Sequence, residues 1–297
     1  MKDNTILTTD LTDVKLLKRG KVRDIYDLGD ALLIVSTDRI SCFDVVLPTG
    51  IPNKGVVLNR LSVFWFDFTK DIIDNHLITD DVNKFPGQLH PFKKILNGRS
   101  MLVKKAEPIP IECVVRGYIA GSAWDEYKNN QTVAGIKLGK GLYKYSRLPE
   151  PIFTPSTKED KGHDINVSYE YIISNFGSEI ARRLKDISIK LYNKASDFAE
   201  KKGIIIADTK FEFGFFNNDI VLIDEAFTPD SSRFWSKKDY LQDRAPENFD
   251  KQFVRDYLEA LGWNKTPPAP SLPGYIVNKT AEKYIQILKY ILDKAPV

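Results

Sequence analysis

Short apolar runs separated by turn residues dominate the first part of the chain. Residues 14–36, VKLLKRGKVRDIYDLGDALLIVS, read as a β-meander, with Gly29-Asp30 as a turn and ALLIVS as a short buried strand. The pattern changes over 56–75, where Val57, Leu61, Phe64, Trp65 and Phe68 recur at helical spacing and predict a helix. Strands are expected at 100–105 and 111–119. Pro108 and Pro110 between them enforce an extended connector, which reads as a hinge between lobes. Residues 130–162, rich in Gly, Pro, Lys and Thr, predict a long functional or mobile loop. A helical region follows over 168–203, divided near Gly177 and closed by Gly203. Residues 204–235 read as two strands around a turn at Asn217-Asn218-Asp219. A helix opening at Pro246 and closing at Gly262, a Pro-rich link and a terminal helix, AEKYIQILKYIL, complete the pattern. Strands first and mixed elements later argue for α+β. The expected division is a β-rich N-terminal lobe, residues 1–110, and a larger α+β lobe, residues 111–297.

Composition narrows the function classes. The 297 residues are 42% hydrophobic and 28% charged, ordinary for a globular protein of more than one minimal core. The net charge of +3, with no long basic run, argues against nucleic acid. Cys42 and Cys113 form no CxxC pair or disulfide framework, which suits a reducing cytosol. No signal-peptide pattern and no apolar stretch of about 18 residues is present, so a cytoplasmic protein off the membrane is expected. His76, His90 and His163 lack zinc spacing.

The hairpin at 204–235 is unusual because it carries Asp208, Glu212, Asp224, Glu225 and Asp230, and strands usually avoid acids. With a three-residue loop, Phe216 pairs with Ile220 and Phe213 with Ile223, and Glu212 lands opposite Asp224. Like charges across a ladder repel. A Mg²⁺ ion between them reverses that sign, since it is often held by one or two carboxylates plus substrate phosphates. The ordinary alternative is a solvated acidic face balanced by Lys210 and Arg233. The basic turn KRGKVRD, around Gly20, can present N–H groups and cations to phosphate. GIKLGKG at 135–141 lacks Walker A spacing and reads as a surface loop. Arg116, ending an apolar strand, can take a carboxylate or phosphate; its alternative is a salt bridge to Glu112 or Asp125. TPSTK offers Thr154, Ser156, Thr157 and Lys158, or else a polar loop with Asp164 or Asn166 as a helix cap. No GxSxG elbow supports a hydrolase triad on Ser156 and His163. The residues alone thus point to an ATP- and Mg²⁺-dependent enzyme acting on an anionic substrate.

Seven ordered stretches resemble the SAICAR synthetase family of purine biosynthesis. They are GKVRDIYDLGD, STDRISCFDVVLPTGIPNKGVVLNRLSVFWF, ECVVRGYIAGSAWDEY, IFTPSTKEDKGHDINVS, IIIADTKFEFGF, LIDEAFTPDSSRFW and FDKQFVRDYLEALGW. Length and C-terminus resemble the longer, single-chain branch, which implies a monomer. The resemblance implies a two-lobed α+β fold around an ATP cleft, and an ADP-forming ligase. ATP, L-aspartate and the carboxylated aminoimidazole ribonucleotide CAIR would give SAICAR through an acyl phosphate. It implies Glu212 and Asp224 as Mg²⁺ and ATP-phosphate acids. Lys21 and Arg23 would face phosphate, and the connector Lys105, Glu107 to Glu112 would hold adenine. Arg116, Ser122, Asp208, Lys210 and Arg233 would form the CAIR site, with Lys210 and Asp208 as catalytic groups. Arg39, Ser41, Asp44 and Lys54 match a segment shared between aspartate and CAIR, and TPSTK lines the same cleft. Cys42 and Asp125 depart from the usual pattern. A small-molecule kinase with the same ATP cleft is the alternative, and a nucleotide- or RNA-binding module without turnover is a third reading.

Overall fold

The computed structural model describes residues 5–158, 165–240 and 245–293. The predicted meander forms as β1 (Lys15–Arg19), β2 (Arg23–Asp27) and β3 (Ala31–Ser36), paired antiparallel. A small hairpin follows, β4 (Ser41–Cys42) and β5 (Val45–Val46). Helix α1 (Lys54–Phe68) buries Val57, Leu61 and Trp65 as its spacing requires. It ends short of the expected 75 because Thr69 terminates it, its hydroxyl donating to the Trp65 carbonyl at 2.6 Å. Next come β6 (Leu77–Thr79), a 3₁₀ turn, α2 (Lys93–Leu96) and β7 (Ser100–Lys104). The first sheet has the order β1-β2-β3-β7-β6.

The second sheet begins at once. The expected connector is mostly strand, since β8 (Glu107–Tyr118) contains both Pro108 and Pro110. Then follow α3 (Ser122–Asn130), β9 (Thr132–Val133), β10 (Ile136–Lys137), β11 (Arg147–Phe153) and β12 (Ser156–Thr157). The expected long loop therefore holds strands, and β11 pairs with β8. Pro149 and Pro151 disguise β11 as loop, and its register shifts between Arg147 and Ile152. GIKLGKG lies partly in the β9–β10 hairpin. The helical region is α4 (Tyr169–Phe176) and α5 (Ser178–Lys201), parted at Gly177 as expected. Ser168, not Asn166, caps α4, and Asp164 and His163 lie outside the described residues. β13 (Ile204–Phe216), β14 (Asp219–Ile223) and β15 (Ser232–Ser236) complete a sheet of order β11-β8-β13-β14, with β12 on β8 and β15 on β13. The chain closes with α6 (Gln252–Ala260) and α7 (Gly274–Leu292). α6 begins after Pro246, and α7 begins before Ala281, directly after Pro273.

One hydrophobic core joins the two sheets. Ile34 and Met101 from the first sheet belong to the same cluster as Phe211 and Phe213 from the second, with Trp65, Leu191 and Leu288 from α1, α5 and α7. α5 crosses β8 so closely that Gly117 is required, because a Cβ there would lie 2.0 Å from the Tyr192 hydroxyl. Cys42 and Cys113 are free and buried. Among the described residues, no helix is long and apolar enough to cross a membrane.

Candidate active site

Strand alternation turns one side of the second sheet toward the core and the other toward a cleft. On β13, Phe211 and Phe213 are buried inward, while Asp208, Lys210 and Glu212 line cavities on the opposite side. On β8, Cys113 and Val115 point inward, and Glu112 and Arg116 outward. The register sets Arg116 beside Asp208, Val114 beside Lys210 and Glu112 beside Glu212.

The hairpin register corrects the sequence expectation. Asn217 and Asn218 alone form the turn, at φ 52° and 66°, the left-handed pair that a two-residue hairpin demands. Phe216 therefore pairs with Asp219, Phe213 with Leu222 and Glu212 with Ile223. The acid facing Glu212 across a ladder is Glu112, not Asp224. Asp224 follows the end of β14 with φ 65° and still lines the same cavity as Glu212.

Two adjoining cavities result, of about 700 and 390 Å³. The larger lies between the Gly20 turn and the acids Glu212, Asp224 and Glu225. The smaller is lined by Arg116, Ser122, Ser156, Asp208 and Arg233. Asp44, Glu112, Lys210, Asp230, Ser231 and Arg255 line both and so mark the junction.

Most of the charges here are paired. Arg23 closes on Asp224 and reaches Glu225 at 2.5 Å. Lys21 pairs with Asp44, Lys158 with Glu212, and Lys210 with Glu112. Arg116 donates to Asp208 at 2.8 Å, and Arg233 closes on the same oxygen, so two guanidiniums share one carboxylate. The alternative partners for Arg116, Glu112 and Asp125, are not the ones used. Burial, and then the charge of Asp224, push the Glu212 carboxyl above its usual range, with Lys158 opposing. Arg23 and Lys158 hold Asp224 below the usual range despite its burial. Among the described residues, no group of three or more His, Cys, Asp or Glu is placed to hold a metal ion.

Among the expected residues, Arg39, Lys54, Lys105 and Glu107 do not line these cavities. Arg39 braces the Gly20 turn from behind, donating to the carbonyls of Gly20 at 2.9 Å and Lys21 at 3.1 Å and to Asp24 at 2.9 Å. Lys54 is fully buried, with its ammonium 2.7 Å from Asp230. Lys105 donates to Asp27 at 2.9 Å, and Glu107 is exposed beside Phe215 in the ladder. Ser41 and Asp44 do line the larger cavity. The β4–β5 turn carries Asp44 there, with Phe43 and Asp44 at φ 52° and 62°. Of TPSTK, Ser156 and Lys158 line cavities, while Thr154 is buried and accepts from Arg116 Nε at 3.0 Å.

Lys251 and Arg255, absent from the expected set, reach the larger cavity from the start of α6. Their spacing of four along a helix was the available signal. Asp230 is one of the five acids of the 204–235 stretch. It is held by Lys54, by Lys251 at 3.1 Å and by the Tyr284 hydroxyl at 2.8 Å.

Two antiparallel sheets and two connected chambers lined by both cations and acids suit the binding of polyanionic small molecules. Residues 16–270 match the SAICAR synthetase family. The chain is 57% identical over 288 residues to the phosphoribosylaminoimidazole-succinocarboxamide synthase of Thermodesulfovibrio yellowstonii, covering 97% of this chain and 99% of that protein. The SAICAR synthase of Saccharomyces cerevisiae, solved complexed with SAICAR, has a TM-score of 0.89 at 42% identity, covering 98% of this chain and 99% of that one. A type-2 SAICAR synthetase in complex with ADP has a TM-score of 0.71 at 26% identity, covering 96% of this chain and 100% of that one. The chain belongs to the SAICAR synthetase family.

Proposed function

We propose that the protein joins L-aspartate to the carboxylate of CAIR at the expense of ATP, releasing SAICAR, ADP and phosphate. The observation that carries this reading is Lys210, at the junction of the two chambers, in a chain of this family. The relatives solved with ADP and with SAICAR support a site for each of these ligands.

ATP phosphates occupy the larger chamber, where Lys21, Arg23 and Lys158 supply positive charge. Glu212 and Asp224 suit Mg²⁺, because one buried carboxyl is raised by the other's charge and a hard cation relieves both. When bound, Mg²⁺ neutralises phosphate charge. CAIR occupies the smaller chamber. There Arg116 and Arg233 outnumber Asp208, and the net positive charge favours an anion. A carboxylate is a poor electrophile. Its oxygen first attacks the γ-phosphorus while the bond to ADP breaks, with Lys210 stabilising the transferring charge. The aspartate amine then attacks the acyl carbon, phosphate leaves, and the amine loses its proton. Asp44 at the junction, with Ser41 in the larger chamber, stands ready for aspartate. Arg39 acts by holding the Gly20 turn, and Lys54 by holding Asp230. Adenine contact through Lys105 and Glu107 requires closure onto the cleft. The N-terminal lobe to residue 110, monomeric operation in the cytoplasm and the lack of a nucleic-acid partner belong to the same reading, supported by the mild net charge.

The test is ADP release from Mg²⁺-ATP and CAIR, with and without L-aspartate. Strict dependence on aspartate is expected. Release without aspartate, with a stable phosphorylated product, would replace the ligase with a kinase.

A further inference from the structure

Asp250 directly precedes Lys251, is 1% exposed and lines neither chamber, so its carboxylate does not reach a ligand. Its two oxygens hold two different elements. Oδ2 accepts the Phe234 N–H of β15 at 3.1 Å. Oδ1 accepts the N–H of Gln252, the first residue of α6, at 2.7 Å.

The backbone leads the chain to that joint. Ser236 N donates to Glu247 O at 2.8 Å, Trp235 and Asn248 form an antiparallel bridge, and Phe249 N donates to Phe234 O at 2.8 Å. Residues 247–249 therefore run alongside the end of β15. Asp250 then leaves this ladder, and its side chain takes the Phe234 N–H that would otherwise be a buried donor without a partner. The same side chain closes an Asx turn into α6.

Each element tied by Asp250 carries cations of the cleft. β15 presents Arg233, next to Phe234, to the smaller chamber. The first turn of α6 presents Lys251 to the larger chamber and Arg255 to both. Val254 N and Arg255 N both donate to Lys251 O at 3.0 Å, so these two cations move with one helical turn.

We propose that Asp250 is a positioning residue that sets the distance between the cations of the two chambers, by tying the strand of Arg233 to the helical turn of Lys251 and Arg255. This rests on the reading of the chambers as neighbouring substrate sites of one ligase. A ligand held within one chamber does not sense that distance, whereas a reaction between substrates in both chambers does.

The experiment is steady-state kinetics with Mg²⁺-ATP, CAIR and L-aspartate, beside calorimetric ADP binding and thermal melting. Asp250→Ser can still accept from Gln252 N–H but is too short to reach Phe234, and Asp250→Asn keeps one acceptor oxygen. Assayed well below the melting temperature, Asp250→Ser should lose about 10- to 100-fold in kcat and Asp250→Asn about 10-fold. ADP affinity should stay within about twofold of the parent's, because Lys21, Arg23 and Lys158 stand on other elements. In an Arg255→Ala background the Asp250→Ser loss should fall below about threefold, since a cation that Asp250 places is gone. A folded Asp250→Ser with the parent's kcat overturns the proposal, and Asp250→Asn decides in the same way if the serine variant does not fold. Losses that simply multiply in the double variant also overturn it and reduce Asp250 to a structural brace. A parent without aspartate-dependent ADP release overturns the ligase reading itself, and the inference with it.

Discussion

Asp208 and Arg116 are partners across the β13–β8 ladder, with Oδ2 and Nη1 2.8 Å apart and both side chains almost wholly buried. Arg233 closes on the same oxygen, leaving one carboxylate between two guanidiniums. Asp208→Asn should leave that charge uncompensated and destabilise the ligand-free protein by about 3–5 kcal/mol. Inorganic phosphate should then raise the melting temperature more in the variant than in the parent. Equal phosphate responses would remove the arginine pair from anion binding.

Lys210 stands where the two chambers meet and is paired with Glu112. Lys210→Ala should lower kcat/KM for CAIR by about 10²-fold, with the loss shared between kcat and KM. Lys210→Arg should retain part of the activity. Steady-state kinetics indistinguishable from the parent would take Lys210 out of the reaction.

Gly121 has φ 55°, and a Cβ there would lie 2.1 Å from Arg233 Nη2. Gly121→Ala should push Arg233 aside and cost about 10²-fold in kcat/KM for CAIR, as misplacement by an ångström does. ADP binding, proposed for the other chamber, should not change. Calorimetry with ADP checks the separation.

Glu212 titrates above its ordinary value of 4.5 because it is buried beside Asp224. A raised carboxyl pKa contributes stability that is complete below the unfolded value and lost as pH rises through the folded one. Glu212→Gln suffers no such loss. Parent and variant should therefore melt alike below about pH 4, and the ligand-free variant should be the more stable at pH 7. Melting curves across that range test the sign; a variant less stable at pH 7 would show that the ion pair with Lys158 dominates instead.

Asp230 is held below its ordinary value of 3.8 by Lys251 and Lys54, against the effect of burial. Its contribution is present above that value and lost as pH falls through the depressed one. Asp230→Asn should cost about 3–5 kcal/mol at pH 7, because it strands the buried Lys54 ammonium. That deficit should shrink in acid. Lys54→Met leaves Asp230 with Lys251 and Tyr284, and its KM values for CAIR and aspartate should stay within about twofold of the parent's. A large rise in either KM would return Lys54 to the substrate site.

The β-meander, the helix break at Gly177 and the apolar stripe of α1 were legible because each is decided by residues close in sequence. A local period or a local glycine suffices for them. β11 was hidden because Pro149 and Pro151 carry a loop signal, and only its pairing with β8 makes it a strand. The structure brings most of the expected acids and cations to one cleft, but their partners were not legible. A turn shorter by one residue than expected moved Asp224 off the ladder, and Glu112, a hundred residues upstream, took the place opposite Glu212.

The sequence by itself determined the α+β class, the family and the supply of charged groups, since motif order and residue type are one-dimensional properties. Only the tertiary structure decided which of those groups face the cleft. Arg39 and Lys54 carry the same charge as Arg116 and Lys210, and no local pattern separates them. The packing of α1, α6 and α7 buries Lys54 against Asp230, and Asp24 turns Arg39 inward. Burial and long-range pairing, which depend on contacts between distant segments, make two of these cations supports for the cleft and leave the others to line it.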